Sequence, residues 1–156
     1  MKENTGREGW ASVILALWDK SDEDGGVFLK DVGIGQVIEV HTKDAIYQMV
    51  VVDKESDFVA VTSDGEHIAQ PEVWCLIGST WGTAVIKRGF VGVNMRLEMQ
   101  MADSRRTLIS MNVDTIKIWE NRRQAAVLVA AAKENRRRKT PLPQRFFRWC
   151  SKLFGK

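Results

Sequence analysis

Cysteine and histidine are both scarce in this 156-residue sequence, which contains two of each. Cys75 and Cys150 lie far apart in unlike contexts and no Cys-x-x-Cys pair is present, which predicts no structural disulfide and a reducing compartment. His41 and His67 have no partner at the spacing of metal ligands, so no metal centre is expected. Cys75 lies in the apolar run VWCLI, where a buried inert thiol is the common case, although a Cys–His pair that meets only in the fold stays open.

Signatures of nucleotide binding and of membrane spans are also missing. In DVGIGQVIEV the third glycine of a dinucleotide fingerprint would fall at Ile38, and no P-loop lysine follows either glycine. With no defensible pair of catalytic acid and base residues, we expect a protein that is not an enzyme and that has no cofactor. No apolar run approaches the roughly 20 residues of a spanning helix, and the N-terminus is a poor signal peptide. We therefore expect a cytoplasmic protein.

Charge is distributed unevenly along the chain, although the net charge is only +3. Residues 1–101 hold 9 Lys or Arg and 16 Asp or Glu, a net charge of −7. Residues 102–156 hold 14 Lys or Arg and 4 Asp or Glu, a net charge of +10. This asymmetry indicates an anionic partner for the basic part or, alternatively, docking of the basic part on the chain's own acidic body.

The middle of the sequence consists of short alternating runs separated by glycine and polar turns. Residues 93–101 alternate strictly, which predicts a strand with five apolar side chains on one face. Further strands are predicted at 36–42, 45–53, 58–63, 72–78, 83–87 and 89–93, with one or two strands at 107–119. This many short strands with short links favours a mainly-β fold, built as a small, strongly bent sheet or barrel that is SH3-like, Sm-like or a β-roll.

A helix is predicted ahead of the strands. Its apolar residues follow helical spacing and form one stripe over about three turns, ended by the acidic loop 21–26; they are Trp10, Val13, Ile14, Leu17 and Trp18. We expect this stripe to pack on the sheet. The chain then divides into the N-terminal helix and loop at 1–26, a β-rich domain at 27–119, an Ala-rich basic helix at 120–139, and a proline hinge with a tail at 140–156.

The Ala-rich segment is predicted to be helical because alanine and straight-chain charged residues favour helix. Its eight apolar residues, 125–132, are expected to pack on the β domain or, alternatively, to support self-association. The segment ends in a run of four cations that is a candidate anion-binding site: Arg136, Arg137, Arg138 and Lys139.

The last thirteen residues, 144–156, have the pattern of an amphipathic helix. On a helical wheel, cations occupy one side and aromatic or aliphatic residues the other, and no acidic residue follows Glu134. Such a pattern is typical of a helix that lies in an anionic membrane interface. The candidate membrane-binding or partner-binding residues are Arg145, Phe146, Phe147, Arg148, Trp149, Lys152, Leu153 and Phe154.

These features predict a non-enzymatic binding or adaptor module, peripheral at an anionic membrane surface or bound to a membrane-bound protein partner. Nucleic-acid binding through the basic C-terminal extension is an alternative, with phosphate contacts from Arg105, Arg106, Arg122, Arg123 and the run Arg136 to Lys139, and base stacking on Trp81 or Phe90. The acidic β region argues against binding on the sheet itself, so the basic tail would hold the nucleic acid. A third possibility is an assembly subunit that forms homo-oligomers through the Ala-rich helix or an exposed strand edge.

Overall fold

The structure is a computed structural model that describes residues 5–82 and 84–139. Its elements, in chain order, are α1 (Thr5–Asp24), β1 (Gly26–Phe28), a 3-10 turn (Leu29–Asp31), β2 (Gln36–Thr42), β3 (Ile46–Asp53), β4 (Phe58–Ser63), β5 (Glu72–Trp81), β6 (Val85–Arg88), β7 (Phe90–Gly92), β8 (Arg96–Met101), β9 (Thr107–Glu120) and α2 (Arg122–Lys139). The predicted mainly-β class, with a helix at each end, is confirmed.

Six strands form a ring-like antiparallel sheet. Neighbours follow the order β4-β3-β2-β9-β8-β5, and β5 pairs back with β4. The first half of β5 pairs with β4, and the second half of the same edge pairs with β6. Strands β1 and β7 form a separate two-stranded sheet. The curled sheet therefore encloses a single interior.

That interior is filled by the inward-facing side chains of the strands. Trp74, Tyr47 and Met49 are among the largest fully buried side chains. In β8, Leu97 and Met99 are buried, whereas the residues between and beside them face outward, as strict alternation predicts. Burial of these apolar side chains away from water makes the main contribution to the stability of the ring.

The strand predicted at 93–101 begins later than expected. Asn94 has a φ of +61°, a left-handed conformation that interrupts a strand but that asparagine tolerates. The chain therefore turns at this residue, and β8 begins at Arg96.

A bulge bends β5 at its middle. The pairing of β5 with β8 shifts register between Leu76 and Gly78. Gly78 has a φ of +155°, and a Cβ on it would lie 2.1 Å from the carbonyl oxygen of Lys87. The glycine lets β6 approach closely, so the strand predicted to end at residue 78 continues to Trp81.

Helix α2 packs on the outer face of the ring, as expected. Its buried residues Ala125, Leu128 and Ala132 form a second apolar cluster with outward-facing side chains of β2 to β5; these are Val37, Val50, Ala60 and Val73. Small residues at the helix surface allow this close approach. The helix is consequently fixed along its length.

Helix α1 departs from the prediction in length and in packing. It has 20 residues, so it continues through the acidic residues expected to form a loop. The predicted packing of its stripe on the sheet is wrong, because Trp10 is 66% exposed, Val13 50% and Trp18 43%. Lys87 holds the last turn of α1 near β6, while α2 already covers the outer face of β2 to β5.

Neither helix in the part of the chain that the structure describes is long and apolar enough to cross a membrane.

Candidate functional site at the basic end of helix α2

The basic end of α2, defined as Arg136, Arg137, Arg138 and Lys139, is positioned by contacts along the whole helix. At the start, Asn121 caps the helix through its Oδ1, which accepts a hydrogen bond from the Gln124 amide at 3.0 Å. Near the end, the Asn135 amide group donates a 2.8 Å hydrogen bond to the carbonyl oxygen of Pro71. The contact of Asn135 with Pro71 joins the end of α2 to the segment before β5, and so helps to fix where the four cations lie relative to the ring.

Each cation of the basic end has an acidic partner on the same chain. Arg136 Nη2 lies 2.9 Å from Asp103 Oδ1. Arg137 and Arg138 both bind Glu134, at 3.1 Å and 2.9 Å. Lys139 pairs with Glu72. Four cations thus share three carboxylates, of which only Glu72 belongs to the acidic part of the chain, residues 1–101, whereas Asp103 and Glu134 lie in the basic part.

The carboxylates differ in their surroundings. The Glu72 side chain is only 10% exposed and also accepts a 3.2 Å hydrogen bond from Trp74 Nε1. Glu134 lies on the surface of α2, and hydrogen bonds from Arg137, then Arg138, hold its pKa below the ordinary value of a glutamate. Glu72 is therefore an enclosed residue that joins the start of β5 to the end of α2, whereas Glu134 pairs with its neighbours along α2.

A recess of about 270 Å³ lies at the foot of the basic end. Its walls combine apolar atoms of Val73 and Met101 with the acidic groups Glu72 and Asp103. Arg136 and Lys139 also line it. The recess therefore combines apolar atoms, two carboxylates and two cations of the basic end.

The remaining predicted binding residues, Arg145 to Phe154 of the tail, lie outside the described residues. The structure therefore places the four cations of the basic end, and their acidic partners, but not the eight predicted tail residues.

The histidines and the first cysteine occupy ordinary structural environments. His41 Nε2 lies 2.5 Å from Glu39 Oε1, and this hydrogen bond, followed by one from Gln48, lowers the pKa of Glu39. His67 Nε2 lies 3.6 Å from Asp44 Oδ2 on an exposed turn. Burial, and then the charge of Asp57, raises the pKa of the Cys75 thiol, which opposes nucleophilic behaviour at neutral pH.

No group of three or more His, Cys, Asp or Glu residues that could hold a metal ion is found among residues 5–82 and 84–139.

The residues considered for nucleic-acid binding do not form one surface with stacking rings. The expectation that Phe90 stacks bases is wrong, because its ring is 3% exposed and packs against Phe28 and Lys87. Trp81 is half-buried at the end of β5. Arg106 lies over the Trp74 ring at 5.6 Å and donates a hydrogen bond to the carbonyl oxygen of His67.

A buried lysine site was not predicted from the sequence. Lys87 Nζ donates hydrogen bonds to Ser21 Oγ at 2.8 Å and Asp22 Oδ1 at 2.7 Å. Aromatic rings of Phe90 and Phe28 lie 4.0 Å and 5.3 Å from the same nitrogen. Its groups come from three separate segments, so no local sequence pattern indicates it.

Comparisons with protein-family models, with curated proteins and with solved structures found no match for this chain.

Proposed function

We propose that this protein is a non-enzymatic binding module whose C-terminal segment, residues 136–156, associates with an anionic membrane surface. The observation that carries the proposal is the position of the basic end. Four exposed or half-exposed cations lie at the terminus of a helix that is fixed to the ring, directly ahead of the amphipathic tail sequence. The C-terminal segment then brings the ring to the membrane surface.

The two parts of the segment contribute differently. A cation near an anionic membrane contributes about 1 kcal/mol, while an exposed ion pair on a protein is worth about 0.2–1 kcal/mol. The paired cations of the basic end therefore gain little when they exchange carboxylates for lipid phosphates. Arg145, Arg148 and Lys152, in a stretch without acidic residues, supply most of the electrostatic attraction.

Apolar residues of the tail supply the second contribution to the affinity for the membrane. Insertion of aromatic side chains such as Phe146, Phe147 and Trp149 buries apolar area at the headgroup boundary, at about 25 cal/mol per Å². Neither attraction alone gives stable anchoring, because one weak signal is readily reversed. The module consequently needs both its cations and its aromatic residues.

A second part of the proposal concerns the architecture of the ring-like sheet. Pairing of β4 with β5 joins the two ends of the strand order, as a barrel requires. We propose a small closed barrel of the SH3-like or Sm-like kind, or a β-roll, which presents α2 on its outside. The short strands and the bulge at Gly78 support strong curvature.

Co-sedimentation with lipid vesicles tests the proposed function with two matched full-length variants. Arg145→Gln/Arg148→Gln removes charge and keeps the aromatic residues, while Phe147→Ser/Trp149→Ser does the reverse. Both are expected to lower binding to vesicles with anionic lipid at least tenfold, and neither the variants nor the native chain should bind neutral vesicles. Native-like binding by the aromatic variant would contradict membrane insertion.

Nucleic-acid binding is the second candidate, favoured by the exposed side chains of Arg105, Arg122 and Arg123. A short DNA duplex added to the vesicle assay separates the two. If the duplex retains the protein, if this retention falls steeply with salt, and if no binding to vesicles is seen, nucleic-acid binding replaces membrane association as the proposed function.

A further inference from the structure

A groove runs beside helix α2, over the outward-facing side chains of β3. Its volume is about 740 Å³, within the roughly 300–1,000 Å³ of clefts that enclose small ligands. Most of the residues that define this α2 groove are apolar, and they include Ile34, Val50, Val52, Ala126, Val129 and Ala130. Ile34 is 76% exposed, and Val52 and Val129 are only partly buried. The groove therefore offers apolar surface to a ligand from solution.

One face of α2 forms the long wall of the groove. The residues of that face recur at helical spacing, which places them in a row along the helix: Arg122, Ala125, Ala126, Val129, Ala130 and Lys133. At 1.5 Å per residue, the row from Arg122 to Lys133 is about 16 Å long. The wall is thus an extended apolar surface with a cation at each end.

The two cations of the groove differ in their surroundings. Arg122 Nε lies 3.0 Å from Glu120 Oε1, so its charge already has a partner. Among residues 5–82 and 84–139, no carboxylate forms an ion pair with Lys133. The described lining of the groove contains no acidic residue either. Lys133 therefore leaves one positive charge uncompensated at one end of an apolar surface.

We infer that the α2 groove binds one long-chain fatty acid from solution, with the alkyl chain along the apolar wall and the carboxylate at Lys133. Transfer of the alkyl chain from water to the groove is favourable because it buries apolar surface on both partners. The carboxylate accepts a charge-assisted hydrogen bond from the Lys133 ammonium group. A ligand with a single anionic end suits a groove with a single uncompensated cation.

Charge and size disfavour protein occupants of the groove. Packing of α2 against α2 of a second copy would bring Arg122 or Lys133 of one copy against a cation of the other in either direction, and like charges repel. The basic tail, residues 144–156, has no acidic residue and meets the same repulsion. Eleven residues line the groove, whereas each partner of a standard protein interface contributes roughly 20–30. A small amphiphile therefore matches the groove better than a folded partner does.

Isothermal titration calorimetry with laurate, kept below its micelle concentration, tests the inference on the full chain without vesicles. We expect one laurate per chain. Dodecyltrimethylammonium has the same alkyl chain and the opposite charge, so it should bind about tenfold more weakly or less. Lys133→Gln should weaken laurate binding about fivefold, the upper end of what an exposed ion pair contributes. Lys43→Gln, on an exposed turn, is the matched control and should bind laurate as the native chain does.

A second pair of variants locates the alkyl chain. Ala130→Phe places a ring in the groove from an exposed helix position, so it should abolish laurate binding without unfolding the chain. Val127→Phe, also exposed on α2 but outside the lining, should bind laurate normally. Trp10→Ser, on the exposed apolar stripe of α1, should do the same.

Several results would overturn the inference. They are the absence of laurate binding, native affinity in Ala130→Phe or in Lys133→Gln, and loss of binding in Trp10→Ser, which would place the alkyl chain on α1. Residues 136–156 are unchanged in every variant, and none of them lies in the described lining of the groove. Fatty-acid binding and the proposed membrane association can therefore fail independently.

Discussion

The ammonium nitrogen of Lys87 lies 4.0 Å from the centroid of the Phe90 ring, and Lys87 is only 5% exposed. The same nitrogen donates hydrogen bonds to Ser21 and Asp22 at the end of α1. One enclosed cation thus joins the N-terminal helix to β6 and β7. It holds the last turn of α1 against the ring and so sets the direction in which the helix leaves it.

Lys87→Met should loosen the last turn of α1 without unfolding the ring. Methionine keeps an apolar stem of similar length but donates no hydrogen bond to Ser21 or Asp22. Hydrogen bonds to charged groups are worth about 1.5–3 kcal/mol, so amide hydrogen exchange in this turn should accelerate about tenfold or more. Lys20→Met, on the exposed side of α1, is the control. Unchanged exchange would show that Lys87 does not anchor the helix.

Gly78→Ala should be strongly destabilising, because a Cβ at this position would overlap the Lys87 carbonyl group, with the nearest atom 2.1 Å away. We expect the free energy of unfolding to fall by about 3 kcal/mol, from steric overlap and backbone strain. Gly82→Ala is the matched control: it has a φ of +60° but nothing within 4 Å, so a loss of about 1 kcal/mol is expected. Equal losses in urea unfolding would argue against the close approach of β6.

Tyr47→Phe should leave the protein as stable as before or stabilise it by about 1 kcal/mol. The Tyr47 hydroxyl is buried, and no hydrogen-bond partner for it is found within the described residues. Burial, followed by the charges of Asp44 and Asp64, raises its pKa to about 12. A loss of stability above about 1 kcal/mol would reveal a hydrogen bond to the hydroxyl.

The raised pKa of Tyr47 also predicts a pH effect. The unfolded chain loses the phenolic proton near pH 10, while the folded chain keeps it up to about 12. Stability from this group is therefore complete below about pH 10 and is lost as the pH rises toward 12. Because Tyr47 is the single tyrosine of the sequence, its titration can be followed directly by ultraviolet absorption. A midpoint near 10 in the folded protein would contradict the burial.

Glu72→Gln with Asp103→Asn should strengthen binding to anionic vesicles. The change removes the carboxylate partners of Lys139 and Arg136, so both cations become available to lipid phosphates. At about 1 kcal/mol per cation, the gain is several-fold to about thirtyfold. Glu66→Gln with Asp64→Asn, on an exposed turn, controls for the change in net charge. Equal gains in both double variants would mean that net charge alone is responsible.

Local sequence patterns predicted those elements whose structure depends on neighbours along the chain. Strands β2 and β4 have the predicted bounds, because alternation and flanking turn residues define both ends of each strand. The Ala-rich helix likewise lies within the predicted segment 120–139, and Asn121 caps its start. The pairing of Glu134 with Arg137 and Arg138 of the basic end follows from helical spacing, because residues three and four apart are neighbours on a helix.

Contacts between distant segments could not be predicted from local sequence patterns. Ile109, Met111 and Val113 are evenly spaced along β9, a pattern that predicts one shared strand face, yet the first two are exposed and Val113 is buried. A register shift between β8 and β9 changes the inward face between them. Periodicity identifies an apolar stripe on α1 but not what that stripe meets. The partners Glu72 and Asp103 of the basic end also come from remote turns and strands.

Vesicle co-sedimentation of the full chain beside a 1–139 chain tests the central claim most directly. Thermal unfolding of both chains first establishes that the shorter one keeps the ring and α2. We expect the full chain to sediment with anionic vesicles, and the 1–139 chain, whose four basic-end cations are paired with carboxylates, to remain in the supernatant. Equal sedimentation of the two chains would contradict membrane association through the C-terminal segment.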